Sequence, residues 1–365
     1  MVVAIGRGTT LRREDIYDAI VSSYKNKYSW LGEQFAEEFL LTACSWSIQE
    51  FSKPEFRVRR HLALNWEAAW LKSSLLTKAW KWLGPACTIL SDVTVASLRG
   101  TVEGREFISP FTLKAPFSVC TEFGQLSAAG MNTELIQKLL IILEEGTLNV
   151  SLGKIAMLDE VKREAIEADY GIKFLDNNTF TYNTNWVLMA GTYNSKFLAD
   201  SALESRFVIM KPKQELNSTL TKYINDSEPY HMDEDVQFHF RAELMREQPI
   251  ETRIKIPESL FSEFRIITPR ELAGLQSYVM CRAWWGIGTL SDHLYMKLTE
   301  MKKNSADTWK SDDEKVFEAI EVFPKTILDI AASTGLRKRE VYASLKRINA
   351  SRYWDEEEGI KKWHL

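Results

Sequence analysis

Apolar residues in the first part of the chain recur at intervals of three and four positions. One series runs from Ile16 to Tyr24, and a second runs from Phe35 to Cys44. This spacing places the apolar side chains on one face of a helix. Residues 1–60 are therefore predicted to form a helical N-terminal segment.

From residue 61 to about residue 213 the pattern changes to short apolar runs separated by segments with helical spacing. The runs are HLALN, CTILSD, PFSVCT, NWVLMAG and FVIMK. Strands that alternate with helices build a mostly parallel sheet with helices packed on its faces. The predicted fold class is therefore α/β, with the core domain over residues 61–213.

Residues 214–303 contain a polar part followed by a part with helical periodicity. Residues 214–250 are polar and include DSEPYHMDEDVQ, which predicts a solvated loop or linker, whereas residues 251–303 return to helical periodicity. We therefore expect residues 214–303 to form a linker followed by a helical lid.

Residues 312–365 are predicted to form a separate unit after a polar linker. Three short helices are expected, with Gly335 ending the second and a basic third helix, followed by two strands around Glu358-Gly359. This order of elements is typical of a winged helix, a module that binds DNA or docks on proteins. The basic third helix favours DNA contact, whereas the acidic run from Asp355 to Glu358 at the predicted wing tip weakens it and keeps protein docking as the alternative.

Composition narrows the class of protein. A chain of 365 residues with 45% hydrophobic residues is long enough for a large domain and one or two small ones. No apolar run approaches the roughly 20 residues that span a bilayer, and Met1–Ile5 is too short for the apolar region of a signal peptide. We expect a cytoplasmic protein without a membrane partner.

Charge and cysteine usage disfavour a nucleic-acid-coating protein and a zinc-binding protein. The net charge of −4 disfavours a protein that coats nucleic acid by bulk electrostatics, but it permits a local basic patch. The four cysteines lack metal-ligand spacing, so they are predicted to be buried apolar residues in a reducing compartment and not zinc ligands.

A degenerate phosphate-binding loop follows the first core strand. The pattern GxxxxGK[ST] is matched at Lys72 and Ser73, whereas Trp66 and Leu71 replace the two glycines. In such a loop the lysine binds phosphates and the hydroxyl binds Mg²⁺. The alternative is that Lys72 is an ordinary residue on a surface face of a helix, because only glycine freely adopts the left-handed backbone that such loops use.

The third apolar run ends at Thr121-Glu122, where the usual Walker B pair of a P-loop ATPase would be Asp-Glu. Thr121 lacks the carboxylate that holds Mg²⁺ through water, but its hydroxyl can bond to such a water. Glu122 is the candidate general base or water-positioning residue, and its alternative is a solvated glutamate at a helix N-terminus. The candidate cofactor-binding residues are Lys72, Ser73, Ser74 and Thr121, with Ser73 as the Mg²⁺ ligand.

Two more polar residues stand at the ends of apolar runs. Asn194, with Thr192 as its fallback, follows WVLMAG and could contact a γ-phosphate; the alternative is a turn-forming asparagine. Arg206 in LESRF precedes FVIM, a position from which an arginine finger reaches the nucleotide of a neighbouring subunit. Its alternative is a surface salt bridge.

In this order the motifs resemble the minichromosome maintenance (MCM) replicative helicases and their mobile-element relatives, in the pre-sensor-1 hairpin branch of the AAA+ ATPases. WLKSSLL is similar to the family's phosphate loop, CTEFGQL to its Walker B segment, and LESRF to its finger. The resemblance covers about residues 60–290 and 312–365. It implies an AAA+ core with a P-loop-type fold, ATP and Mg²⁺ as cofactors, and a homo-oligomeric, hexameric ring.

The resemblance also assigns residues that the spacing alone does not. LLIILEEGTLNVSLGK is similar to the family's helix and hairpin, which makes Lys154 the candidate that faces DNA in the pore. TVEGREFISPFTLKAPF matches the helix-2 insertion by position, with Arg105 on it, and TPRELAGLQSYVMCRA resembles the sensor 2 helix, with Arg270 at the γ-phosphate. The DNA-binding candidates are Lys154, Arg105, Arg337, Lys338, Arg339, Lys346 and Arg347.

The implied function is that of a DNA replicative helicase or initiator, with DNA and other replication proteins as partners. The N-terminal sixty residues differ from the zinc-bearing N-terminal domain of cellular MCM proteins, which is typical of a viral or plasmid protein in an archaeon or bacterium. Loss of the glycines and of the Walker B aspartate favours an alternative, a DNA-binding AAA+ scaffold that does not hydrolyse ATP. A winged-helix transcription regulator leaves the sensor 2-like helix unexplained.

Overall fold

The chain folds into two compact units, residues 1–293 and 294–365. A computed structural model describes residues 11–55, 57–66, 71–90, 93–103, 106–123, 133–192, 205–211, 230–250, 269–287, 316–317, 319–320, 325–334, 336, 338–355 and 360–364.

Unit 1 contains seven described α-helices and ten described strands. The helices are α1 (Arg13–Ser47), α2 (Lys72–Leu83), α3 (Val95–Arg99), α4 (Thr133–Glu144), α5 (Glu160–Tyr170), α6 (Glu234–Leu244) and α7 (Pro269–Trp285). The strands are β1 (His61–Asn65), β2 (Cys87–Leu90), β3 (Thr101–Glu103), β4 (Glu106–Ile108), β5 (Phe117–Cys120), β6 (Thr147–Ser151), β7 (Ile172–Phe174), β8 (Thr179–Asn183), β9 (Val187–Thr192) and β10 (Phe207–Met210).

Five strands form a parallel sheet at the centre of unit 1. Their order is β10-β1-β9-β5-β2, and each neighbouring pair is parallel. Strands β5 and β9 are buried at every position, as strands covered by helices on both faces must be. The α/β class and the five predicted strands are confirmed, and the arrangement is compatible with a P-loop-like core.

Helix α1 is built into the core of unit 1. A break at Ser29, which has a φ of 55°, divides it, and both halves present aromatic side chains to the interior. Phe39 packs against Phe240 of α6 with ring centroids 5.8 Å apart, and Phe240 stacks on Trp285 of α7. The predicted N-terminal helix therefore exists, and its apolar face packs against α6 and α7.

Helix α6 lies within the segment that the sequence predicted to be a solvated linker, and there the prediction is wrong. Val236, Phe240 and Leu244 recur every four residues and are buried. Arg241 on the same helix donates hydrogen bonds to the carbonyls of Lys81 and Trp82 at the end of α2. Three spaced apolar residues are enough to bury one helical face in a segment whose composition is polar.

A second, antiparallel sheet with the order β6-β8-β7 follows α4. Strands β6 and β8 pair from Thr147–Asn183 to Ser151–Thr179, and the chain between them contains α5 and β7. Strands β3 and β4 form a separate hairpin in the predicted helix-2 insertion. All four cysteines are buried and free.

Unit 2 contains helices α8 (Ile327–Thr334) and α9 (Lys338–Arg347) and the antiparallel pair β11 (Ser351–Asp355) and β12 (Ile360–His364). Its described core consists of Val316, Ile320, Ile330, Val341 and Leu345. None of the helices that the structure describes has the length and apolar character that a membrane crossing requires.

Candidate functional site

The carboxyl ends of β1, β9 and β5 meet at one edge of the parallel sheet. Asn65 lies opposite Thr192, and Cys120 lies opposite Ala190. Strands β1 and β9 are neighbours, yet the chain continues from β1 to β2 at one border of the sheet and from β9 to β10 at the other. Ligands of open α/β sheets bind at such a switch point, outside the carboxyl ends of the strands.

Helix α2 begins at this edge with an unusual backbone conformation. Leu71, which caps the helix, has φ and ψ of 63° and −3°, in the left-handed region. The conformation favoured by glycine is therefore present without the glycine, at a cost of about 1–2 kcal/mol. The half-buried Leu71 side chain packs against the core of unit 1, which offsets part of that cost.

Lys72 is the first residue of α2, and its side chain is directed into the sheet edge. Its Nζ donates to the carbonyl oxygens of Trp66 at 2.5 Å and Thr192 at 2.6 Å. The residue is only 7% exposed, and burial lowers the pKa of its ammonium. The alternative that Lys72 lies on a surface face is therefore wrong. An ammonium carries three donors, so these two bonds leave one for a further acceptor.

Gly191 is a site residue that the motifs did not identify. A Cβ on this residue would lie 2.5 Å from the carbonyl oxygen of Thr121 and 3.2 Å from Leu76 of α2. Only glycine therefore allows β9 to approach the end of β5 this closely. An isolated glycine inside an apolar strand run, as in WVLMAGT, was the signal available in the sequence.

The other candidate cofactor-binding residues are divided between the edge and the core. Ser73 is exposed on the first turn of α2. The Ser74 hydroxyl is 2.9 Å from the Tyr28 hydroxyl, so it is engaged in the contact between α2 and α1. Thr121 and the exposed Glu122 occupy the turn after β5. Lys72, Ser73, Thr121 and Glu122 are thus grouped at one edge, and Ser74 is directed elsewhere.

Thr192, the fallback for Asn194, is embedded in the sheet. It is 1% exposed, and its hydroxyl donates to the Leu64 carbonyl at 3.2 Å. Its side chain therefore holds β9 to β1, whereas its carbonyl binds Lys72. Asn194 itself lies outside the described residues.

Arg206 lies at the opposite edge of the sheet. It immediately precedes β10, whose first residue, Phe207, pairs with His61 at the start of β1. Its guanidinium forms an ion pair with Glu144 at the end of α4, and its side chain is 11% exposed. Within one chain Arg206 is therefore remote from Lys72, so a role at a nucleotide would require a second copy.

The structure describes only some of the remaining candidate site residues. Arg105 and Arg337 lie outside the described residues, as does the side chain of Arg270, whose backbone is the second residue of α7. Lys154 is exposed in the 3₁₀ helix Gly153–Met157, next to the end of the β6–β8 ladder.

Helix α9 of unit 2 carries an exposed basic surface. Lys338, Arg339, Lys346 and Arg347 are all exposed along it. Between residues 325 and 364 the sequence has nine Lys or Arg residues against six Asp or Glu, whereas the whole chain has a net charge of −4. The local excess of positive charge suits a polyanion such as DNA.

The part of the chain that the structure describes contains no group of three or more His, Cys, Asp or Glu residues placed to hold a metal. Thr121 supplies a hydroxyl where a carboxylate would bind Mg²⁺ through water. A metal at this edge would therefore rely on Ser73 and on the phosphate oxygens of a nucleotide. The residues fit a phosphate group better than they fit an independent metal ion.

Comparison of the chain with protein-family models gives no match, and comparison with curated proteins gives none.

Proposed function

We propose that this chain is an MCM-like AAA+ ATPase that acts on DNA as a ring-forming replicative helicase or initiator. One observation carries the proposal. Lys72 is the first residue of α2, follows a residue with left-handed backbone, and places its ammonium at the carboxyl ends of β1 and β9. Helix N-terminus, lysine and switch point coincide at one edge, which is the geometry of a phosphate site.

The residues at this edge divide the work of binding ATP and Mg²⁺. The N-terminal amides of α2 and the third donor of Lys72 would bind phosphate oxygens, and the Ser73 hydroxyl would bind the metal. Bound ATP supplies the γ-phosphoryl group that is transferred to water. Glu122, exposed in the turn after β5, would orient that water.

The remaining candidates would complete the site from outside the edge. Asn194 would sense the γ-phosphate, and Arg270 would contact it from α7. Arg206 would act from a neighbouring subunit, which agrees with its distance from Lys72 within one chain. Ring assembly is therefore part of the proposal, because Arg206 can serve as a finger only at the site of a second copy.

Both units would bind DNA. Lys154 and Arg105 would contact the backbone of DNA in the pore, and the basic residues of α9 in a winged-helix unit would contact a second stretch. The order α8, α9, β11 and β12 supports the winged-helix assignment, since a hairpin follows the basic helix as a wing would.

A second candidate, an AAA+ scaffold that binds DNA without hydrolysing ATP, is favoured by specific contacts. Lys72 is already bonded to two carbonyls, and Arg206 is already paired with Glu144. Thr121 also lacks the carboxylate that would hold Mg²⁺. Nucleotide would then only set the geometry of the ring.

Hydrolysis of ATP with and without single- and double-stranded DNA separates the two candidates. The wild-type chain is compared with Glu122→Gln while oligomer size is recorded, and Glu164→Gln, an exposed carboxylate on α5, is the matched control. DNA-stimulated hydrolysis that only Glu122→Gln abolishes supports the motor. Rings that bind DNA without hydrolysis support the scaffold, and the absence of both rings and DNA binding refutes both candidates.

A further inference from the structure

Tyr342 is an exposed aromatic residue in the middle of the basic surface of α9. Its side chain is 49% exposed. Arg339 lies three residues before it and Lys346 lies four residues after it. Residues at these spacings lie on one face of a helix. The face therefore presents a ring between two cations.

The ring of Tyr342 contacts the β11–β12 hairpin. It lies edge-on to Trp363 of β12, with ring centroids 6.1 Å apart and planes at 79°. Arg352 of β11 lies directly opposite Trp363 in the ladder, and its guanidinium carbon is 5.8 Å from the Trp363 ring centroid. Directly opposed residues of an antiparallel pair project to the same side. We call Arg352, Trp363 and Tyr342 the aromatic strip.

The aromatic strip differs from a surface made to bind phosphates alone. Cations alone are enough to bind phosphates. An aromatic ring flanked by cations can also bind a base, because the π-face of every base can stack on the ring. Bases in a duplex already stack on one another, and their faces are accessible only where the strand is single.

We propose that the aromatic strip binds single-stranded DNA, with a base stacked on Tyr342 and the flanking phosphates held by Arg339 and Lys346. The inference rests on the proposed DNA-binding function of unit 2 and specifies its ligand. Trp363 is half-buried against the core of unit 2 and contacts the Tyr342 ring edge-on. Tyr342 is therefore the residue whose removal tests the proposal without emptying the core.

Fluorescence anisotropy of the full-length chain, at one fixed salt concentration, measures the effect with three labelled ligands of equal length. They are an oligothymidylate, an abasic strand with the same phosphates, and a duplex. Tyr342→Ala is expected to weaken binding of the oligothymidylate about tenfold, within the range measured for base stacking. Binding of the abasic strand is expected to stay unchanged, because it offers nothing to stack.

Two variants control for other causes. Tyr342→Phe keeps the ring and is expected to bind as the wild type does. Leu328→Ala removes a side chain on α8 that is 61% exposed and is expected to change nothing. Equal losses on the oligothymidylate and the abasic strand, or no loss on either, would overturn the proposal.

The outcome also separates this inference from the function on which it rests. A wild-type chain that binds the duplex but not the oligothymidylate would overturn the aromatic strip and leave the proposed DNA-binding function standing. A chain that binds none of the three ligands would overturn both. A urea unfolding curve of Tyr342→Ala that starts from the same folded baseline as the wild type verifies that unit 2 is still folded.

Discussion

The side-chain ammonium of Lys72 lies 2.6 Å from the carbonyl oxygen of Thr192, so that the first residue of α2 is bonded to the last residue of β9. One lysine thereby joins a helix N-terminus to the end of β9 and to the residue that follows β1, since it also binds the carbonyl of Trp66. A residue proposed to bind phosphate thus has a structural role as well. Substitutions at this edge must separate the two roles.

Lys72→Met is expected to lower the free energy of unfolding by about 1–3 kcal/mol, because it leaves two buried carbonyls without their donor. It is also expected to abolish nucleotide binding. Urea unfolding measures the first effect and equilibrium binding of a fluorescent ATP analogue measures the second. Ser73→Ala changes an exposed side chain and is expected to alter stability by less than about 0.5 kcal/mol. If the methionine variant still binds nucleotide, Lys72 is only structural.

At Leu71 glycine is expected to be tolerated better than alanine. Both Leu71→Gly and Leu71→Ala remove the leucine atoms beyond Cβ, but only glycine relieves the left-handed backbone at a φ of 63°. The glycine variant is therefore expected to be more stable than the alanine variant by about 1 kcal/mol. Thermal and urea unfolding of the two variants make the comparison, and an alanine variant of equal or greater stability would contradict it.

Gly191→Ala is expected to destabilise unit 1 by about 1–3 kcal/mol, because the added Cβ would lie 2.5 Å from the backbone oxygen of Thr121. Displacement of that turn is also expected to reduce any hydrolysis that depends on Glu122. Gly274→Ala is the control, since a Cβ there meets no described atom within 4 Å and α7 gains a better helix former. The control is expected to be as stable as the wild type or slightly more stable.

His61 is expected to make stability fall in mild acid. Burial, together with the charges of Arg57 and Arg59, holds its pKa well below the usual 6.5. Its Nδ1 accepts from the amide of Leu188 and its Nε2 donates to the carbonyl of Leu143, an arrangement that only the neutral ring satisfies. In mild acid the His61 ring is therefore protonated in the unfolded chain but stays neutral in the folded chain.

Below pH 6.5 the unfolded chain binds more protons at His61 than the folded chain, so stability declines as pH falls towards the depressed folded pKa. The slope reaches about 1.4 kcal/mol per pH unit. Urea unfolding between pH 7.5 and about 5.5 measures it. His231→Gln, at an exposed histidine, should retain the decline, whereas His61→Gln should flatten it. A flat wild-type profile over this range would refute the assignment.

Arg206→Ala and Glu144→Gln distinguish an ion pair from an arginine finger. Both break the same pair and are expected to cost similar stability, about 1 kcal/mol or less, because Glu144 is 40% exposed. Only Arg206→Ala is expected to abolish ATP turnover while nucleotide binding persists. Mixing inactive Arg206→Ala with inactive Glu122→Gln should restore some turnover, because mixed rings combine an intact finger with an intact Glu122. Equal turnover in both single variants would limit Arg206 to a structural role.

The apolar runs predicted the sheet well, because a strand buried on both faces must be apolar at nearly every position. HLALN became β1, and NWVLMAGT contains β9. Prediction failed for α6, where Val236, Phe240 and Leu244 lie in a polar segment and their burial depends on α1 and α2. A motif match at Lys72 was also ambiguous, since spacing does not say whether a lysine faces solvent or a sheet edge.

The sequence by itself determined the α/β class, the five strands of the core sheet and the positions of the candidate residues along the chain, because these follow from local periodicity and spacing. Only the tertiary structure decided that Lys72 is bonded to Thr192, that Ser74 faces Tyr28 and that Arg206 pairs with Glu144. Each of these contacts joins residues more than forty positions apart. Such pairs are created by the packing of helices on the sheet, and no local pattern encodes them.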